Sequence, residues 1–160
     1  MPHPFYPSGN PHFNHVAMSL PADTLGAESR ADVCRFFHEV LGFEEIAVMT
    51  EDRHRLILSC VHWDQFIFLI AEDDPMRCPR MDHYGFAVGS LDELRGLQER
   101  AEAFRASDER LEIIDLHVDD QKVVKIHSLY LHYVLPMTIE FQYWEFPRER
   151  EPSQAARERT

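Results

Sequence analysis

The stretch Asp82-His83-Tyr84-Gly85-Phe86-Ala87-Val88-Gly89, followed at once by Ser90-Leu91-Asp92-Glu93, decides the fold. Side chains alternate along a strand. Tyr84, Phe86 and Val88 therefore form a bulky apolar face, while His83, Gly85, Ala87 and Gly89 share the other side. A helix can pack on the bulky face. The small-residue face leaves empty space beside an imidazole, and such space with a few polar groups is what a ligand site requires. Ser90-x-x-Glu93 is a capping box and opens a helix whose Leu91, Leu94, Leu97, Ala101 and Phe104 face inward at helical spacing. Strands near 111–118, 123–134 and 137–145 follow.

The same order occurs earlier in the chain. Residues 12–20 read as a strand with Val16, Met18 and Leu20 on its apolar face and Phe13, His15, Ala17 and Ser19 opposite. A helix near 29–41 carries the stripe Val33, Phe36, Phe37, Val40 and Leu41. Ser29 is its candidate N-cap, and Gly42 suits the left-handed C-terminal position. The β-rich runs 43–49, 55–62 and 65–71 complete the unit. Strand, helix and three strands thus occur twice, separated by Asp73-Asp74-Pro75 and Cys78-Pro79. Neither unit can bury its sheet face alone, so the pattern predicts an α+β protein of two modules packed together.

Composition narrows the function. A chain of 160 residues, 44% hydrophobic and 28% charged, suits one compact domain or two half-size modules sharing a core. The 28 acidic against 16 basic residues give a net charge of −12, which argues against nucleic acid or an anionic membrane as partner, since both demand basic patches. No run of about 18 apolar residues predicts a membrane span, and residues 1–15 lack the basic start and apolar stretch of a signal peptide. Cys34, Cys60 and Cys78 fit neither a disulfide framework nor a zinc ribbon, so a cytoplasmic location is expected. Residues 1–11, with four of the ten prolines, read as a flexible leader. Residues 12–72 and 81–146 read as the two modules, and 147–160 as a disordered charged tail.

The strand faces also collect the chemistry-bearing residues. Met137, Ile139, Phe141 and Tyr143 form the apolar face of the last strand, and Thr138, Glu140 and Gln142 its polar face. The preceding strand puts Ser128, Tyr130 and His132 on one side. No local spacing motif joins His15, His83 and Glu140, and a polar strand face is ordinarily just wet. Asp115, His117 and Asp119 alternate on another strand and read first as a solvated edge. His3, His12, His38, His54 and His62 read as surface or leader residues.

Three stretches resemble the vicinal oxygen chelate superfamily, which includes glyoxalase I, fosfomycin- and bleomycin-resistance proteins and extradiol dioxygenases. They are Asn14-His15-Val16-Ala17 with the helix end Cys34-Arg35-Phe36-Phe37-His38-Glu39-Val40-Leu41-Gly42-Phe43; Asp82-His83-Tyr84-Gly85-Phe86-Ala87-Val88; and Ser128-Leu129-Tyr130 leading ten residues on to Glu140. The resemblance implies paired βαβββ modules whose curved mixed sheets form a cup around one divalent metal. It implies metal ligands at His15, His83 and Glu140 and an active-site tyrosine at Tyr130. The chain departs from the family at Tyr133-Val134-Leu135-Pro136, where an Asp-Pro-x-Gly turn is usual, so Glu140 depends on the new turn for its register. The fourth-strand carboxylate of glyoxalase I is absent from Phe66-Ile67-Phe68-Leu69-Ile70, and residues 121–123 lack the extradiol histidine.

Two imidazoles and one carboxylate suit Fe(II), with Mn(II) or Zn(II) as competitors. Such a cation would act as a Lewis acid toward two neighbouring substrate oxygens. Tyr130 is then a hydrogen-bond donor and His132 a candidate acid–base group, with His127 ranked below it. Phe13, Phe66 or Phe68, Tyr130 and Trp144 are candidate aromatic walls. The leading expectation is a dioxygenase-like enzyme for a small aromatic or vicinal-dioxygen substrate, working as a homodimer. The alternatives are a metal-free drug- or metabolite-binding protein and a Mn- or Zn-dependent transferase or isomerase. The cup closes either within one chain or across the dimer.

Overall fold

A computed structural model describes residues 11, 13–50, 54–60 and 64–147. The expected leader and tail lie almost entirely outside the described residues, as do His3, His12 and His62. The elements follow the order read from the sequence: β1 (His15–Pro21), α1 (Ala27–Phe36), β2 (Glu44–Glu45), β3 (Arg55–Ser59), β4 (Phe66–Glu72), then β5 (His83–Ala87), α2 (Leu91–Arg105), β6 (Glu112–Asp120), β7 (Lys125–His132) and β8 (Thr138–Glu145). They form two mixed four-stranded sheets of matching order, β1-β4-β3-β2 and β5-β8-β7-β6. In each sheet the opening strand runs parallel to the last strand of its module, and the remaining pairs are antiparallel. The fold is therefore the expected pair of βαβββ modules.

The period of two sorts the sheets into a helix-covered face and an open face. Met18, Leu20, Leu56, Leu58, Ile67 and Leu69 bury against Val33, Phe36, Phe37 and Val40. Leu129, Leu131, Ile139 and Phe141 bury with Leu94, Leu97, Ala101 and Phe104. Ser90 caps α2 as predicted: its hydroxyl accepts from the Glu93 amide, and the Glu93 carboxylate accepts from the Gly89 amide 2.8 Å away.

Local chemistry moved three boundaries. The first helix starts at Ala27 behind Gly26, whose lack of a side chain leaves the N-terminus without a side-chain cap, and Ser29 lies inside the helix. Its last turn, Phe37–Leu41, widens to a π-helical turn before Gly42 closes it at φ 73°. The predicted strand 43–49 shrinks to Glu44–Glu45, because the Thr50 hydroxyl folds back onto the Ala47 carbonyl and the Glu45 carboxylate and turns Ala47–Met49 into a 3-10 helix.

The two modules share one core and are clasped by an ion network. Phe36 of α1 contacts both Phe104 of α2 and Tyr133 beyond β7, with ring centroids 5.5 and 4.7 Å apart. The buried Asp108 carboxylate accepts from Arg35 at 3.0 Å, Arg110 at 2.6 Å and the Tyr133 hydroxyl at 2.7 Å. Arg110 also reaches Asp32 on α1 at 2.6 Å. Hydrogen bonds from Arg110 and Tyr133 hold the Asp108 carboxyl far below the usual carboxylate range, against the opposing effect of burial.

This clasp predicts a particular acid response. A carboxyl depressed in the folded state stabilises fully above its unfolded value, near 3.9. That contribution disappears as pH falls toward the folded value. Asp108→Asn should cost about 2–3 kcal/mol and Tyr133→Phe about 1 kcal/mol in urea unfolding at pH 7. The Asp108→Asn deficit should stay constant above about pH 5 and narrow below pH 4; a deficit independent of pH would remove the network from the account of stability.

Candidate functional site

The site is built on the open face of the second sheet, around β8 as a central strand. Parallel pairing sets His83 against Thr138 and Gly85 against Glu140, while antiparallel pairing sets Tyr130 against Glu140 and Ser128 against Gln142. Glu140 thus has a glycine on one side and a tyrosine on the other. The altered turn keeps this register by placing Val134 at φ 44°.

His83 Nε2 and Glu140 Oε2 lie 3.3 Å apart. His83 Nδ1 is 2.8 Å from the Met81 carbonyl oxygen, which can only accept, so Nδ1 carries the proton and donates. Nε2 is then the nitrogen turned toward Glu140, whose residue is only 7% exposed. An imidazole nitrogen and a carboxylate oxygen facing each other at this distance can share a proton or flank a cation. A backbone carbonyl holding the far nitrogen is also the usual support of a metal-binding imidazole. The donor chemistry therefore fits two ligand positions of a divalent cation.

His15 is placed differently. It opens β1 on the first sheet, its Nδ1 bonds the Asn14 side-chain oxygen at 2.8 Å, and its ring stacks on Phe66 at 4.9 Å. It does not line the cavity beside His83. Among the described residues of one chain, no three His, Cys, Asp or Glu side chains are grouped to hold a metal ion.

A cavity of about 280 Å³ opens beside His83, walled by His117, Tyr130, His132, Ile114 and Thr138. His117 stacks on Tyr130 with centroids 5.7 Å apart and planes within 9°, and Tyr130 stands edge-on to His83 at 5.6 Å. Burial, and then a hydrogen bond to Glu140, push the Tyr130 phenol up to about 12, so it remains a proton donor at neutral pH. His132 Nδ1 faces the Thr138 hydroxyl at 3.4 Å. At the rim Arg80 pairs with Glu112.

His117 is the residue that sequence reasoning passed over. Strand alternation places it with Asp115 and Asp119, but the β6–β7 register shifts between Ile114 and His117. The bulge puts Ile114 and His117 on the same face, beside Tyr130. A bulge of this kind has no marker in the sequence. His127, by contrast, is buried on the helix-covered side, bonding Glu145 at 2.8 Å. Of the expected aromatic walls, Tyr130 lines this cavity. Phe13 and Phe66 line a separate one of about 290 Å³ between β1 and β5, and Trp144 is 45% exposed.

No helix among the described residues is long and apolar enough to cross a membrane. No family model matches the sequence, and no curated protein matches it. Solved structures do resemble it. A protein of Bacillus anthracis assigned to the glyoxalase family is 22% identical, with a TM-score of 0.54 over 85% of this chain and 97% of that one. The fosfomycin resistance protein FosX of Listeria monocytogenes, in complex with Mn(II) and sulfate, is 14% identical, with a TM-score of 0.57 over 86% of this chain and 92% of its own. Lactoylglutathione lyase of Agrobacterium tumefaciens is 13% identical, with a TM-score of 0.56 over 84% and 94%. At these identities the likeness is one of architecture: the chain has a glyoxalase-like fold.

Proposed function

We propose that the protein is a divalent-metal enzyme of the vicinal oxygen chelate type, acting on a small aromatic or vicinal-dioxygen compound in a dioxygenase-like reaction. The observation that carries this reading is the His83–Glu140 pair: an imidazole that lines a cavity, its far nitrogen held by a carbonyl, faces a buried carboxylate. Mn(II) in the FosX structure, which shares the fold, supports a cation in such a place. His83, Glu140 and His15 are the proposed ligands.

The third ligand is proposed to come from a second copy of the chain. Within one chain β1 and β5 already border a common cavity, yet His15 does not join His83 and Glu140. Both strands are sheet edges, and the apolar side chains beside their histidines, Phe13 and Met81, are 74% and 76% exposed.

A cation held there would supply Lewis acidity to two adjacent substrate oxygens and, as Fe(II), electrons for dioxygen. The chain's own residues do the rest. Tyr130 would turn its phenol hydrogen from Glu140 to a substrate oxygen. His132 and His117 line the cavity and are the groups proposed to take and return a proton. Arg80 is already matched by Glu112, so no spare cation is offered to a strongly anionic substrate group. Ring walls and Ile114 favour a flat, weakly charged molecule.

Metal titration by electron paramagnetic resonance tests the ligand set. His83→Ala and Glu140→Ala should each weaken Mn(II) binding by more than the roughly 100-fold that losing an outer-sphere partner costs. A 1:1 mixture of His15→Ala and His83→Ala chains should recover about a quarter of the wild-type sites, because only the mixed dimer rebuilds one intact set. No recovery would return the third ligand to the same chain or remove it. Oxygen uptake by the Fe(II)-loaded protein over a catechol panel separates an oxygenase from a Mn- or Zn-dependent transferase or isomerase. Aromatic binding without any metal would instead establish a metal-free binding protein.

The proton-transfer assignment has its own check. With an active substrate, whichever of His132→Gln and His117→Gln removes the acid–base group should lower kcat by about 100-fold or more while KM moves little. Two unaltered kcat values would remove both histidines from proton transfer.

A further inference from the structure

Along the open face of β8, Glu140, Gln142 and Trp144 point the same way at successive strand repeats. Gln142 is flanked by Ala87 on β5 and Ser128 on β7, both small, so its side chain has room to lie along the strand. Trp144 lies past the last paired residue of β5. Its indole nitrogen is 2.8 Å from Gln142 Oε1, and Gln142 Nε2 is 2.8 Å from Glu140 Oε1.

The first of these bonds fixes the sense of the second. An indole N–H only donates, so the Gln142 atom facing it must be the carbonyl oxygen. The orientation of a glutamine amide is otherwise ambiguous; here Trp144 decides it and leaves the NH2 group turned to Glu140. One carboxylate oxygen is thereby engaged, and Oε2 is the oxygen directed at His83. We propose that Gln142, its amide held by the Trp144 indole, is a positioning residue that fixes Glu140 as a one-oxygen donor toward His83. The inference rests on the metal-site reading given above. A carboxylate confined to one oxygen leaves a further coordination position to substrate. An amide achieves this without adding charge beside the ligand.

The test uses the full chain and two readouts. In 15N-labelled protein, the Trp144 indole N–H signal, assigned by its loss in Trp144→Phe, should lie downfield and exchange slowly. In Gln142→Met it should move upfield and exchange at the rate of an exposed indole. In the Mn(II) titration, Gln142→Met should weaken binding about 10-fold or more, within the range for outer-sphere partners. Trp144→Phe should weaken it less, and the double variant no more than Gln142→Met alone, because the indole acts only through the amide. Thermal melting confirms that each variant is folded. An indole signal indifferent to Gln142→Met overturns the hydrogen-bonded chain. A shifted signal with unchanged Mn(II) affinity overturns the positioning role. Failure of the wild-type protein to bind Mn(II) or Fe(II) defeats the metal reading and the positioning role that depends on it, while the indole signal still decides whether the chain of bonds exists.

Discussion

Parallel pairing of β5 with β8 is the constraint on which the candidate site depends. Because β8 lies between β5 and β7, a single strand is in register with both the histidine strand and the tyrosine strand. Placing Gly85 beside Glu140 removes the one side chain that would otherwise stand next to the carboxylate on that flank. A Cβ at Gly85 would come within 3.7 Å of Glu140 Oε2, and a longer side chain would enter the space facing His83. The imidazole, carboxylate and phenol meet because three strands agree on register, and no loop is needed to bring them together.

That agreement requires a rigid support, and the chain supplies it on the opposite face. The core behind the second sheet is continuous with the core behind the first, and the Asp108 network ties α1 to the segment after α2 and to Tyr133. Tyr133 stands directly after β7 and begins the connection to β8. The same residue therefore joins the modules and anchors the unusual turn that sets the position of Glu140. Stability and site geometry share one side chain at that point.

Much of this was legible in the residues themselves. The alternation in 82–89 and the Ser90–Glu93 capping box fixed the second module's opening strand and helix, and the face assignments of His83, Tyr130, His132 and Glu140 followed from a period of two. Features that depend on one residue more or less were not legible. The wide turn at Phe37–Leu41 and the bulge between Ile114 and His117 each insert a residue into an otherwise regular pattern, and the surrounding residue types do not announce it. Ser29 looked like a cap by type, yet Gly26 holds the helix start. The distance between His15 and the other proposed ligands lies beyond strand periodicity altogether, since it depends on how whole sheets are arranged.

The β6 bulge carries an evolutionary implication. Residues 115 and 116 together oppose the single Leu129, so Ile114 and His117 share a face although an odd number of positions separates them. Losing one codon at 115 or 116 would restore a regular ladder in which Ile114 and His117 keep their partners, Tyr130 and Ser128. A one-residue change of length at this point can therefore be absorbed without moving the imidazole from the cavity wall or disturbing the strands that carry His83 and Glu140.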